Sequence, residues 1–287
     1  MNLDLIEKLK KIAIIALVSD DTLMEALVLK GGNAMQLHNV GYRASFDLDY
    51  SLEEEFDDDV EDIRERMEKS IKNTFKEQGY KVFDFEFVER PKALRIELKD
   101  FWGGYKVTFK IANYDLYEKF KSNTEFLRKN AIPLTSSSSR TFKIDISKHE
   151  YTNLKIPVDL EGYTVYVYPP QMIVFEKLRA ICQQNDEYTD VIHTKTQRGR
   201  ARDFYDIYTL LEGFPIDISS GEAKEFIKNV FSIKKVPINY IKLIRKNIEK
   251  HRQDFVSLKN TVNQSEKLNS FDFYFEYVMS HFEKLFS

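Results

Sequence analysis

Apolar and polar positions change period near residue 168, and that change divides the chain. Before it, helical and alternating stretches are interspersed. Residues 3–19 carry a helical pattern, and residues 27–30 form a short apolar run that ends in Gly31-Gly32. This reads as a strand feeding a tight turn, with a helix from Asn33 to His38. Residues 45–50 (SFDLDY) alternate strictly, with Phe46, Leu48 and Tyr50 facing one way and Asp47 and Asp49 the other, a half-buried strand. Residues 57–77 read as a helix capped by Asp57, Asp58 or Asp59. Strand-like runs follow at 81–89, 93–99 and 104–113, with a turn at Gly103-Gly104. A helical stretch at 114–129, a polar loop at 135–139 and strands at 141–147 and 162–168 complete this half, which stops at Pro169-Pro170. From Gln171 onward the pattern is almost wholly helical, with breaks near 185–198, 213–219 and 235–238. There are no internal repeats. The expected architecture is α+β: a mixed α/β domain at 1–168 and a helical domain at 169–287.

Composition narrows the classes. A chain of 287 residues, 43% hydrophobic with 22 Phe and 16 Tyr, can fill two cores. Its net charge of −3 excludes a protein coated in basic residues, so any nucleic-acid site must be a local patch. The lone Cys182 permits no internal disulfide and no cysteine-based zinc site, which suits the cytoplasm. The N-terminal apolar stretch at 12–18 reads as part of an amphipathic helix rather than a signal peptide, and no run reaches the roughly 18 apolar residues of a membrane span.

Three features carry chemistry. A Gly-Gly turn between strand and helix lets backbone N–H groups approach a phosphate, although it is equally a plain turn. Asp47 and Asp49, two apart on a strand, place two carboxylates on one face, where they repel unless a cation sits between them. Magnesium suits such a pair, completed by substrate phosphates. A solvated strand face is the competing reading. Asp145, in the alternating TFKIDIS, could add a third carboxylate as metal ligand or general base. In the helical half, Glu176-Lys177-Leu178-Arg179 lies on one helix and Arg200-Ala201-Arg202-Asp203 opens the next. Asp203 and Asp206 share a helix face, which an ordinary amphipathic helix with N-terminal acids would also show.

Taken together, VLKGGNAMQLHNVGYRASFDLDYS, EKLRAI and RARDFYDIYTLL resemble, in order, the motifs of the AbiEii/AbiGii toxin nucleotidyltransferases: LKGG(T)AL, a spacer, RxSxDLDF, then two helical motifs. The resemblance spans about residues 29–211, and the related MenT toxins look similar. It implies a DNA polymerase β-like nucleotidyltransferase fold. It also implies that Asp47, Asp49 and Asp145 hold Mg2+, that Gly31, Gly32, Asn33, Arg43 and Ser45 bind the nucleotide, and that Lys177 neutralises its phosphates. Asp203 matches the acid of the last motif. Asn33 departs from the usual Thr or Ser but can still donate and accept hydrogen bonds, and the segment 180–199 is longer than the family pattern.

The resemblance further implies a bacterial toxin-antitoxin or phage-defence protein. It would transfer a nucleotide from an NTP to an RNA, with tRNA the expected acceptor and a separately encoded antitoxin as partner. Residues 233–252 hold seven cations (Lys234, Lys235, Lys242, Arg245, Lys246, Lys250 and Arg252) against Glu249 alone. Together with Lys195, Arg198, Arg200 and Arg202 they suggest a basic surface for an RNA backbone, or else a charged helix face. A small-molecule nucleotidyltransferase and a non-catalytic nucleotide-binding module stay open as alternatives. The acidic run 53–62 reads as a solvated loop and helix start, and the five histidines and Cys182 read as structural.

Overall fold

The computed structural model describes residues 3–40, 45–56, 58–134, 138–193, 197–262 and 267–286. The chain forms two compact units: Met1–Lys30 with Phe46–Val167, and Gly31–Ser45 with Tyr168–Ser287.

The first unit is a seven-stranded mixed sheet with helices. Its strands are β1 (Val28–Lys30), β2 (Leu48–Ser51), β3 (Tyr80–Arg90), β4 (Gly104–Asn113), β5 (Phe142–Ser147), β6 (Ile156–Leu160) and β7 (Tyr163–Val167), in the order β3-β4-β5-β2-β1-β7-β6. β2 and β5 are parallel, as are β1 and β7, and the remaining neighbours are antiparallel. The helices of this unit are α1 (Leu3–Val18), α2 (Asp21–Ala26), α4 (Val60–Glu77), α5 (Tyr114–Phe120) and α6 (Thr124–Asn130), while α3 (Gly31–Leu37) belongs to the second unit. α4 buries Ile63, Met67, Ile71 and Phe75, one residue per turn. Its start is capped by Asp59, whose carboxylate accepts from the Glu61 N–H at 2.8 Å. Asp59, Glu61 and Asp62 of the acidic run thus belong to the helix start, while Glu53 accepts from Thr152 and Glu55 from Lys148 and Tyr105. Phe75 meets Phe109 of β4 edge-on at 5.7 Å, and Phe109 stacks on Phe142 of β5 at 4.9 Å. Tyr105, Val107, Phe109 and Ile111 are therefore buried on the α4 side, while Lys106, Thr108 and Lys110 lie on the opposite, half-buried side.

The fold differs from the elements expected of the sequence in several places, the added helix α2 among them. Residues 93–99 form no strand. β3 pairs directly with β4 from Arg90↔Gly104 onward, so 91–103 is the connection, with a single 3-10 turn at Ile96–Leu98 and Ile96 79% exposed. β6 was not foreseen: Ile156 and Pro157 are exposed on an edge strand, where no apolar alternation is required. The helix expected over 114–129 is two helices, broken where Asn123 caps α6 by accepting from the Phe126 N–H at 3.0 Å.

The second unit is helical. α7 (Pro170–Cys182) starts with proline at its first turn and is buried on nearly every side, Cys182 included, so it is the unit's central helix. α8 (Ala201–Gly213) and α9 (Gly221–Ser232) pack against it. α10 (Tyr240–Leu243), α11 (Ile248–Gln253), α12 (Phe255–Lys259) and α13 (Phe271–Phe282) follow, with Phe204 of α8 against Phe271 and Phe275 of α13 at 5.5 and 5.4 Å. Among the described residues no helix is long and apolar enough to cross a membrane.

Candidate active site

In the first unit, β-sheet register assembles the carboxylates. Asp49 is paired with Asp145 across the parallel β2–β5 ladder, Lys30 with Asp49, and Asp145 with Lys106. Paired residues project to the same face, so Lys30, Asp49, Asp145 and Lys106 form one row on the side opposite α4. Leu48 and Tyr50, the apolar half of the SFDLDY alternation, are fully buried, while Asp49 is half-buried. Asp47 immediately precedes the strand. Its charge reaches Asp145: burial holds the Asp145 carboxyl above the usual aspartate range, the Asp47 charge adds to that, and Lys106, Lys143 and Arg90 oppose it. Lys30 makes a buried ion pair with Glu150 at 3.4 Å. Among the described residues, no group of three or more His, Cys, Asp or Glu side chains is placed to hold a metal ion unaided.

In the second unit, Gly31 opens α3 with φ +68°, a left-handed conformation that a side chain would strain. Gly32 and Asn33 are buried, and the Asn33 amide donates to the Ser45 hydroxyl at 3.4 Å. Across α7 and α8, the Lys177 ammonium lies 3.0 Å from Asp203 and 2.6 Å from Asp206. Arg200 pairs with Asp203 at 3.3 Å. The lysine side chain is only 5% exposed and Asp206 is fully enclosed. The i, i+3 spacing that put Asp203 and Asp206 on one helix face thus serves one cation held on a neighbouring helix.

Sequence reasoning foresaw the residues of both clusters but not all their partners. Lys106 and Lys30 join the carboxylate row only through cross-strand register, which periodicity within one strand does not report, whereas Lys143 lies two residues before Asp145 on β5 itself. Arg43 and Lys195 lie outside the described residues. Four of the seven cations of the run 233–252 are held in ion pairs. Arg245 is bound by Glu276 and Glu283 at 2.8 and 2.9 Å, Lys246 by Glu187 at 3.2 Å, Lys250 by Asp186 at 3.4 Å and Arg252 by Asp272 at 2.6 Å, while Lys234 is buried. The neutralising acids come from segments remote in sequence. Burial pushes the Cys182 thiol up, as suits a core residue.

This mixed sheet, with acids on adjacent parallel strands, is the fold of a nucleotidyltransferase. The solved structure of a candidate nucleotidyltransferase from H. pylori is 18% identical, covers 98% of this chain and 96% of its own, and superposes with a TM-score of 0.50. JHP933 from Helicobacter pylori is 19% identical over 97% of this chain and 89% of its own, at 0.49. An antigenic nucleotidyltransferase-like protein from Paracoccidioides brasiliensis is 12% identical over 89% and 95%, at 0.37. No curated protein matches the chain. The family described as "Nucleotidyl transferase AbiEii toxin, Type IV TA system" matches residues 14–277. The chain belongs to that family of nucleotidyltransferase toxins.

Proposed function

We propose that this protein transfers a nucleoside monophosphate from an NTP to an RNA acceptor, with tRNA the expected acceptor, and that magnesium is required. The observation that carries the reading is the row Asp49–Asp145 with Asp47 beside it. Burial holds Asp145 above the usual carboxyl range, with the Asp47 charge adding to that, so a cation bound beside these carboxylates would favour their ionised forms. Asp47 and Asp49 would hold the magnesium, with substrate phosphates completing its oxygen shell. Magnesium, when bound, would neutralise charge on the transferring phosphoryl group.

The remaining roles belong to the chain's own groups. A carboxylate with a raised pKa is a better proton acceptor than an ordinary one, so Asp145 would orient or deprotonate the acceptor hydroxyl. The turn at Gly31-Gly32, with Asn33, Arg43 and Ser45, would bind the triphosphate through backbone N–H groups and polar side chains. Lys177 and Asp203 would complete the nucleotide-binding machinery. Arg90, Lys106 and Lys143, which act electrostatically on Asp145, supply positive charge for an acceptor's phosphates. Membership of a type IV toxin-antitoxin family implies an antitoxin partner, and we place the reaction in the cytoplasm, in phage defence or growth control.

The test is incubation with each radiolabelled NTP, magnesium and total tRNA. Wild type is expected to label tRNA, and Asp47→Asn or Asp49→Asn to reduce labelling by about 10²-fold or more. Near-wild-type labelling by either variant would remove the pair from the reaction. Label appearing only on small-molecule acceptors would reassign the substrate class.

A further inference from the structure

Past the end of β5 the chain stays against the segment that follows β2. The Leu52 N–H donates to the Ser147 carbonyl at 2.8 Å, and the Glu150 N–H donates to the Leu52 carbonyl at 3.1 Å. Between these two bonds the backbone turns through His149 in a left-handed conformation, φ +54°. Three polar residues of this segment, Lys148, Glu150 and Thr152, are nonetheless buried. Lys148 meets Glu55 at 2.6 Å and Glu89 at 3.2 Å, and its ammonium lies over the Tyr105 ring, on the α4 side of the sheet. The Thr152 hydroxyl donates to Glu53 at 3.0 Å. Glu150 instead meets Lys30, which stands in the carboxylate row as the cross-strand neighbour of Asp49.

The Lys30–Glu150 pair is poorly suited to stabilising the fold and well placed to tune the row. Both side chains are enclosed, 9% and 4% exposed, and the carboxylate oxygen lies 3.4 Å from the ammonium. Withdrawing two charges from water into so loose a contact returns little net stability. The effect on the neighbouring carboxylates is larger. Directly opposed side chains of antiparallel strands stand about 5 Å apart. At that range an uncompensated ammonium beside Asp49 repels a divalent cation strongly, the more so away from bulk water. Glu150 cancels that charge. Lys30 in turn cancels Glu150, which by itself would add a further carboxylate charge beside Asp49 and Asp145 and raise their mutual repulsion.

We propose that Lys30 and Glu150 are positioning residues that set the divalent-cation affinity of the carboxylate row: Glu150 neutralises Lys30, so that Asp49 keeps its full attraction for a cation. This rests on the part of the reading above that assigns magnesium to Asp47 and Asp49. It gives the lysine that precedes Gly31-Gly32 a role distinct from phosphate binding.

The experiment is Mn2+ titration of the full-length protein, followed by the electron paramagnetic resonance signal of the free ion, with a thermal melt of each variant. Glu150→Gln is expected to weaken Mn2+ binding about tenfold or more, and Lys30→Met to tighten it. The double variant, uncharged at both positions, should stay folded and bind Mn2+ within about threefold of wild type, since an enclosed ion pair exchanges for uncharged side chains at little cost. A pair with a purely structural role would move the melts without this opposite ordering of affinities. Asp49→Asn should abolish the binding. Equal affinities in the folded single variants, weaker binding by a folded double variant, or binding that survives Asp49→Asn each overturns the inference and leaves nucleotidyl transfer intact. Where a single variant does not fold, the double variant decides. Absence of Mn2+ binding by wild type overturns the inference and the magnesium assignment together. Absence of tRNA labelling by a wild type that shows the Mn2+ ordering removes the transfer reading and leaves the pair's role standing.

Discussion

At the scale of single residues, Asp145 is where stability and chemistry oppose each other. Its carboxyl is partly withdrawn from water beside the charge of Asp47, and the cations around it do not fully offset that. A folded-state pKa raised above the unfolded value means the folded protein binds the proton more tightly. The group is therefore without cost below the unfolded pKa and lowers stability once pH rises through the folded pKa, the reverse of a salt-bridged aspartate. Asp145→Asn removes that charge in nearly the same shape. The expected outcome at pH 7 without magnesium is a melting temperature equal to or above wild type, with nucleotide transfer lowered about 10²-fold or more. At pH values well below the aspartate range the two proteins should melt alike. Melts across pH, run beside a labelled-transfer assay, decide it, and a variant less stable than wild type at pH 7 would mean that Asp145 is simply a structural carboxylate. Lys177 is the opposite case, a cation held by two acids, where removing one partner strands buried charge.

At the scale of elements, the carboxylate row depends on how closely β4 and β5 approach. Gly104 pairs with Ser147, and a Cβ at Gly104 would lie 2.0 Å from the Ile146 carbonyl oxygen. The obstacle is strand backbone, at the end of the β4–β5 ladder, so it cannot swing aside as a side chain would. Gly104→Ala is expected to destabilise the protein by about 1–3 kcal/mol or more and to shift its denaturation midpoint accordingly. An unshifted midpoint would show that the strands separate there freely. Elements also show what the sequence could reveal. SFDLDY and TFKIDIS announced β2 and β5 because each strand buries one face, and period two records that directly. Leu94, Ile96 and Leu98 alternate just as well, yet the register of β3 on β4 leaves 91–103 as a connection without a strand partner. β6 has the opposite problem: it has a partner in β7 but little buried surface, so no pattern marks it. Periodicity reports burial within one element, whereas the neighbours of that element are decided by topology. For the same reason Asp49 and Asp145 could be named separately, while their pairing and the flanking Lys30 and Lys106 could not.

At the scale of the whole molecule, charges remote in sequence decide which surfaces are cationic. Residues 233–252 hold a single acid, but Asp186, Glu187, Asp272, Glu276 and Glu283 approach their cations to within ion-pair distance. Arg245 is gripped by two carboxylates, which hold its pKa well above the usual range. Exposed pairs of this kind add little stability individually, but beyond a Debye length of about 8 Å they cancel, so an RNA backbone meets little net charge there. Arg90, Lys106 and Lys143 differ, because their charges act on Asp145 itself. Replacing Lys242, Arg245 and Lys246 together with Glu is therefore expected to leave tRNA affinity within about twofold of wild type and to lower the melting temperature, since new carboxylates would face Glu187, Glu276 and Glu283. Replacing Arg90, Lys106 and Lys143 with Glu should weaken tRNA binding strongly. It should also flatten the log–log dependence on salt by roughly 0.7–0.9 for each phosphate that the protein no longer neutralises. Filter binding over a salt series measures both variants without requiring turnover, so disturbance of Asp145 does not enter. A large drop in affinity for the first variant and none for the second would move the acceptor to the helical unit.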